Sequence, residues 1–298
     1  MKKAILLVLI GASLWGTIGL YVKLLEQAGF TPMEIVTIRV FFASVFLLGY
    51  MLLRYRKQMK LKNWKDIRYF LGTGIGSIVF FNYCLFASMA ETNIPIATAL
   101  LYTGPAFVMI LSIILFKEPY TAKKGLALGL TLVGAAFAVG AFPAPDASLS
   151  TAGILLGIGS GFGYALYSIF SKFAFVKYDS LTITFYTFIT ATAALLPFFP
   201  YQEKLVTLLS PGPLMLGIGL GLLPTAVAYI SYTLGLFEME ASKASILSTI
   251  EPVVAIIIGI TVFDDAFNGW QMAGMLAIIS AVVVISKSRK RVKITARV

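Results

Sequence analysis

Ten apolar runs fill this chain almost from end to end, at about residues 4–22, 33–53, 69–89, 94–116, 125–142, 151–171, 180–200, 213–236, 244–263 and 268–286. A helix that crosses a hydrocarbon core needs about 20 mostly apolar residues. Ten such spans and their connections use nearly all of the 298 residues, so no soluble domain fits beside them. The composition agrees. Hydrophobic residues make up 59% and charged ones 12%, with a mean hydropathy of +0.90, whereas soluble domains are about 25% charged. Such a chain is neither a soluble enzyme nor disordered. The pattern predicts an all-α integral membrane protein with ten transmembrane helices.

Missing residues narrow the chemistry. The single cysteine, Cys84, excludes an internal disulfide, a cysteine zinc cluster and an iron–sulfur site. The absence of histidine removes Ser–His and Cys–His catalysis and haem ligation by histidine. The aspartates at 66, 146, 179, 264 and 265 fall in or beside connections, which leaves no aspartyl pair inside the spans. The chain is therefore expected to be no enzyme and to hold no cofactor or metal; an intramembrane hydrolase is the remote alternative. The glycine runs Gly72-x-Gly74-x-Gly76, Gly157 to Gly163 and Gly217-x-Gly219-x-Gly221 have the small-residue spacing of close helix contacts. A phosphate-binding loop would need a preceding strand. Cys84 reads as a small buried residue.

The net charge of +11 sets orientation. With the N-terminus inside, 21 of the 24 lysines and arginines fall on the cytoplasmic side and two, Lys23 and Lys204, outside; Arg39 lies within a span. This asymmetry predicts that both termini are cytoplasmic and that the protein sits in the cytoplasmic, or inner, membrane. The basic residues then face anionic lipid rather than nucleic acid.

The sequence repeats itself. Trp15–Lys23 (WGTIGLYVK) aligns with Tyr164–Lys172 (YALYSIFSK) at an offset of 149, and Tyr83, Leu85 and Glu91 meet Tyr232, Leu234 and Glu240. A two-residue gap then brings Ala97 onto Ala244 and Pro105 onto Pro252; a two-residue insertion restores the offset, so Gly125 meets Gly274. A cleaved signal peptide would have no reason to join a repeat, so the first helix is expected to be retained. Two five-helix halves follow, 1–142 and 151–286, joined by a linker at 143–150 and followed by a basic cytoplasmic tail at 287–298. Five is odd, so the halves enter the membrane from opposite sides. Inverted repeats of this kind characterise secondary transporters with a midplane site.

The second half reads Glu240-Ala-Ser-Lys-Ala244, then Glu251-Pro252-Val-Val and Gly259, then Phe263-Asp-Asp and Gln271-Met-Ala-Gly274. This resembles the EamA-type repeat of the drug/metabolite transporter superfamily. The first half is similar but looser, through Ala97–Pro105, Phe116-Lys-Glu118 and Gly125, with Gly104-Pro105 where the second has Glu251-Pro252. The resemblance implies ten helices, a central cavity and movement of a small metabolite, often an amino acid or a related compound and often outward. A lipid or lipid-linked sugar translocator of the same superfamily is the alternative.

The candidate site residues lie inside the spans. Glu251, near mid-membrane, costs about 2.5–3.5 kcal/mol to insert and is expected to face a cavity. There it would meet a substrate amine, carry a proton or bridge helices. Arg39 is a candidate fork for a substrate carboxylate. Together the two suit a zwitterion. With no histidine, proton coupling would rest on Glu251 or Glu34. Aromatic and polar residues recur at equivalent positions: Trp15 with Tyr164, Asn82 and Tyr83 with Ser231 and Tyr232, and Tyr102 with Thr249, with Tyr167 and Tyr229 nearby. Pro105 and Pro252 would each break a helical hydrogen bond and mark hinges. The expected partners are a small-molecule substrate, the lipid bilayer and protons.

Overall fold

The computed structural model describes residues 1–142 and 150–287; the linker over 143–149 and the basic tail beyond Lys287 lie outside the described residues. Among the described residues there is no strand. Nine helices among the described residues are long and apolar enough to cross a membrane: α1 (Lys2–Gln27), α2 (Pro32–Arg54), α3 (Trp64–Glu91), α4 (Ile94–Phe116), α6 (Thr151–Ala174), α7 (Ser180–Phe198), α8 (Pro211–Phe237), α9 (Ala241–Phe263) and α10 (Gly269–Ser286). The tenth apolar run forms α5 (Ala122–Ala138), which has 17 residues, about 25 Å of helix at the usual rise.

The spans begin where the sequence supplies N-terminal caps. Thr31 and Glu34 form a capping box ahead of α2, with the Thr31 amide donating to Glu34 Oε2 at 2.9 Å and Pro32 in the first turn. Asn268 and Gln271 form another ahead of α10. Glu34 is thus a capping residue at the end of α2, outside the aromatic cluster described below.

The two halves interlock. The first helix of each packs on the third helix of the other, α1 on α8 and α6 on α3, while α2 lies against α7 and α5 against α10. Neither half encloses a core by itself. The tight α5–α10 crossing rests on two glycines, because a Cβ at Gly274 would lie 2.6 Å from the Gly134 carbonyl oxygen.

Irregular backbone recurs at matching places. A π-helical stretch interrupts α3 at Gly72–Val79 and α8 at Leu222–Val227. Both α4 and α9 break before their prolines, so Pro105 and Pro252 sit in the first turn of a new helix. There a missing N–H costs nothing, unlike the roughly 3 kcal/mol at a helix interior. These two helices also end alike, at Lys117 and Asp264 with φ 53° each. The next amides, of Glu118 and Asp265, close back onto the Ser112 and Gly259 carbonyls.

The repeat alignment needs two corrections. Ser88 Oγ donates to the Gly153 carbonyl, while Gly235 lies against the Ala4 carbonyl. Ala4 and Gly153 stand 149 apart, but Ser88 and Gly235 stand 147 apart. The gap therefore falls within α3, before Ser88, rather than after Glu91. The π-helical stretch of α3 is two residues longer than that of α8, 8 against 6, and absorbs the difference. Likewise Thr121 and Asn268, the caps of α5 and α10, stand 147 apart, so the proposed return to 149 at Gly125 is not seen there.

The lysine-rich end of the bundle is knotted by buried charge. Lys124 Nζ lies 2.8 Å from Glu240 and 3.6 Å from Glu118. Glu118 accepts from the Ala241 and Ser242 amides, capping α9. Lys172 Nζ donates to the Leu236 and Met239 carbonyls at the end of α8. Lys124, Lys172 and Lys243 are all buried, so they face protein rather than lipid headgroups. At the opposite end the one ion pair among the described residues, Lys23 with Asp265 at 3.6 Å, is about half exposed.

Candidate functional site

Where α1 bends, its chain approaches α9. A Cβ at Gly16 would sit 2.6 Å from the Glu251 carbonyl oxygen, so only a glycine lets the two helices meet here. The bend turns Trp15 inward onto Tyr229 and Tyr232, with ring centroids at 4.8 and 4.9 Å, and onto Tyr164 at 6.3 Å. Tyr167 and Phe188 each lie 5.0 Å from Tyr229. These rings form one buried cluster at the centre of the bundle, built by α1, α6, α7 and α8. Edge-on contacts of this kind contribute about 0.5–1.5 kcal/mol each beyond area burial.

Hydroxyl bonds fix the rings. Ser168 Oγ and the Tyr232 hydroxyl are 2.8 Å apart, Tyr167 meets Thr233 at 2.5 Å, and Tyr164 meets Ser248 at 3.2 Å. The rings leave a cavity of about 10 Å³, space for about one water. Anything larger requires them to part.

Arg39 and Glu251 lie beside this cluster. Arg39 is 5% exposed, and its Nη2 reaches Asn82 Oδ1 at a long 3.5 Å. Asn82 is held by its own bond to the Ile78 carbonyl at 2.7 Å. Arg39, Tyr102, Tyr164 and Tyr229 all lie within electrostatic reach of the Glu251 side chain, and Arg39 and Glu251 form no ion pair among the described residues. Among the described residues the Glu251 carboxylate has no hydrogen-bond partner. Three buried polar atoms here also lack one: Arg39 Nε, Trp15 Nε1 and Ser77 Oγ. Two of these can only donate. Buried polar groups are ordinarily paired, so two orphan donors and a free carboxylate leave unmet hydrogen-bonding capacity in this region.

The first repeat offers no second carboxylate. Gly104 occupies the position of Glu251, and a Cβ there would lie 2.9 Å from the Tyr164 ring. The site is thus asymmetric, with a ring where the other half has an acid.

Of the sequence candidates, Trp15, Arg39, Asn82, Tyr102, Tyr164, Tyr229, Tyr232 and Glu251 come together at this centre, and Pro105 and Pro252 mark the breaks beside it. Tyr83 does not. It is 59% exposed on the outer surface, because successive helical residues diverge by about 100° and Asn82 takes the inward position. At the corrected offset the counterpart of Tyr232 is Leu85, which is buried. Sequence reasoning also passed over Ser77, Phe81, Ser168 and Phe188. Ser168 was readable, since Tyr164, Tyr167, Ser168 and Ser171 follow the spacing of one helix face. Ser77 carries no such signal, because the π-helical stretch alters the period.

A multi-pass helical membrane protein with interlocked inverted repeats and a polar-aromatic centre defines a membrane transporter, and comparison with known proteins specifies the kind. The EamA-like transporter family matches residues 2–140 and again 151–287, and the chain belongs to that family. An uncharacterized transporter of Archaeoglobus fulgidus is 31% identical over 93% of this chain and 94% of its own. The uncharacterized inner membrane transporter YicL of Salmonella typhimurium is 26% identical over 97% of each. One solved crystal structure superposes with a TM-score of 0.76 at 18% identity, covering 95% of this chain and 96% of its own, and so shares the fold.

Proposed function

We propose that the protein carries a small zwitterionic metabolite, an amino acid or a close relative, outward across the cytoplasmic membrane by alternating access. The observation that carries this reading is the opposed pair of unmet needs at the centre: buried orphan donors on Arg39 and Trp15, and on the half-buried Glu251 a carboxylate with no hydrogen-bond partner among the described residues. A substrate carboxylate answers the first and an amine the second. The aromatic walls supply an adaptable, semi-polar surround. The lysine asymmetry supports cytoplasmic termini, which makes the knotted end cytoplasmic and this conformation the one closed to the cell interior. Glu251 is the candidate proton carrier.

Mass spectrometry of spent medium tests the reading directly. Cells overexpressing the protein should enrich one amino-acid-like compound over cells with empty vector. Enrichment confined to uncharged apolar compounds would sink it. Two variants test the parts. Arg39→Lys keeps the charge but loses the fork and the orphan Nε, and should weaken apparent substrate affinity by about tenfold; unchanged affinity would remove Arg39 from the site. Pro252→Ala lets α9 close into a continuous helix and should slow transport more than it lowers the amount of protein in the membrane. Parallel loss of both would make the proline a packing device only.

A further inference from the structure

Beyond the central site, the lysine-rich face holds a second cavity of about 390 Å³, within the range of small-ligand pockets. Its walls come from two connections, one in each repeat. Lys57, Lys60 and Lys62 belong to the segment between α2 and α3, and Lys177 to the segment between α6 and α7. The walls are tied together. Asp66 accepts from Lys177 Nζ and from the Tyr178 hydroxyl, both at 2.8 Å, and the Lys62 amide donates to the same hydroxyl at 2.8 Å. Thr182 Oγ1 donates to the Gln58 carbonyl, and the Tyr186 hydroxyl to that of Met59. The bond from Asp66 holds the Lys177 ammonium above its ordinary range. Its contribution is therefore complete below the ordinary lysine value and is lost only as pH rises through the raised one.

The remaining lysines have no carboxylate partner among the described residues, though Lys62 Nζ lies over the Tyr178 ring at 5.9 Å. Lys57, Lys60 and Lys62 are exposed and form no ion pair among the described residues. The one carboxylate in the wall, Asp179, is spent on capping α7 through the Thr182 amide. Lysine ammonium groups are point-charge binders of phosphate.

We propose that this pocket binds a phosphate-bearing anion, held by Lys57, Lys60 and Lys62 from one repeat and Lys177 from the other. Its place at the ends of spanning helices puts lipid headgroup phosphate within reach, and soluble phosphate offers the same chemistry. A ligand that touches both connections clamps the two repeats together at this end of the bundle.

The test is lysine acylation footprinting of the whole protein in phosphatidylcholine nanodiscs, which expose both faces and so make the result independent of orientation. Short-chain phosphatidylglycerol is titrated in one arm and inorganic phosphate in the other, with ionic strength held by chloride. Labelling of Lys57, Lys60 and Lys62 should fall at least about fivefold in one or both arms, the scale expected of a specific near-surface contact, while Lys2, Lys3 and Lys123 stay unchanged. The responding arm names the source. K57Q/K60Q/K62Q should weaken binding by about a hundredfold, at roughly fivefold per lysine. K2Q/K3Q/K123Q removes the same charge from the same face and should leave binding intact. Equal protection of all six lysines, equal losses in the two triple variants, or no protection in either arm would overturn the proposal.

Discussion

Replacing Glu251 with glutamine should abolish most export while leaving the amount of folded protein unchanged. The substitution keeps the shape and removes the charge. Because the carboxylate has no hydrogen-bond partner among the described residues, the fold does not depend on it. A charge-assisted contact to a substrate amine is worth about 1.5–3 kcal/mol, or roughly tenfold to a hundredfold in rate at fixed substrate. If Glu251 also carries the proton, the loss is complete at any substrate concentration. The measurement is the enriched metabolite in spent medium, normalised to protein recovered from membranes. Equal enrichment by Glu251→Gln and the wild-type chain would make Glu251 structural. Loss of the protein itself would mean that the acid holds helices together, and the zwitterion reading would lose its amine partner.

Glu251 also shows what a sequence can and cannot carry. A lone acid in mid-span is conspicuous, because hydrocarbon tolerates it only with a purpose. The ten spans were equally plain, since nothing but a membrane accommodates that many uninterrupted apolar runs. Side-chain direction was less legible. Tyr83 pairs with Tyr232 only while the offset of 149 holds, and the longer π-helical stretch of α3 ends that offset before Ser88. The EamA-like motif residues proved informative in another way. Gln271 caps α10, Gly274 admits α5, and Asp264 ends α9 in a left-handed turn. Much of that signature is thus backbone engineering around the site rather than the site itself. The buried lysines were hidden because counting positive charge by side treats every lysine as solvated. Nothing in one sequence tells Lys124, which is 3% exposed, from its neighbour Lys123, which is exposed.

Lys124→Met should produce the largest loss of stability of any single change at the lysine-rich end. Its ammonium group holds Glu240 and Glu118, with side-chain exposures of 3%, 9% and 5% for the lysine and the two acids, and also donates to the Pro119 carbonyl. Removing one partner from a buried ion cluster strands the others, at a cost of about 3–5 kcal/mol. Replacing all three, as K124M/E118Q/E240Q, strands neither acid but also takes away the acids that face the buried Lys172 and Lys243, so it should recover only part of the apparent melting temperature. At the opposite end, Lys23→Met breaks a pair exposed by 45% and 57%, and exposed pairs contribute only about 0–1 kcal/mol. Its melting temperature should hardly move. The contrast matters for alternation. An inverted-repeat carrier passes between states by loosening one end as it tightens the other, and a change that destabilises one closed end shifts the population toward its opening. In the triple variant, amide exchange over Ala241–Ser245, where Glu118 caps α9 in the wild-type chain, should therefore speed up although the protein stays folded. Thermal unfolding and exchange on the four proteins decide the matter. If Lys23→Met destabilises as much as Lys124→Met, or if exchange at Ala241–Ser245 is unchanged in the triple variant, the buried cluster is not the lock that holds this end shut.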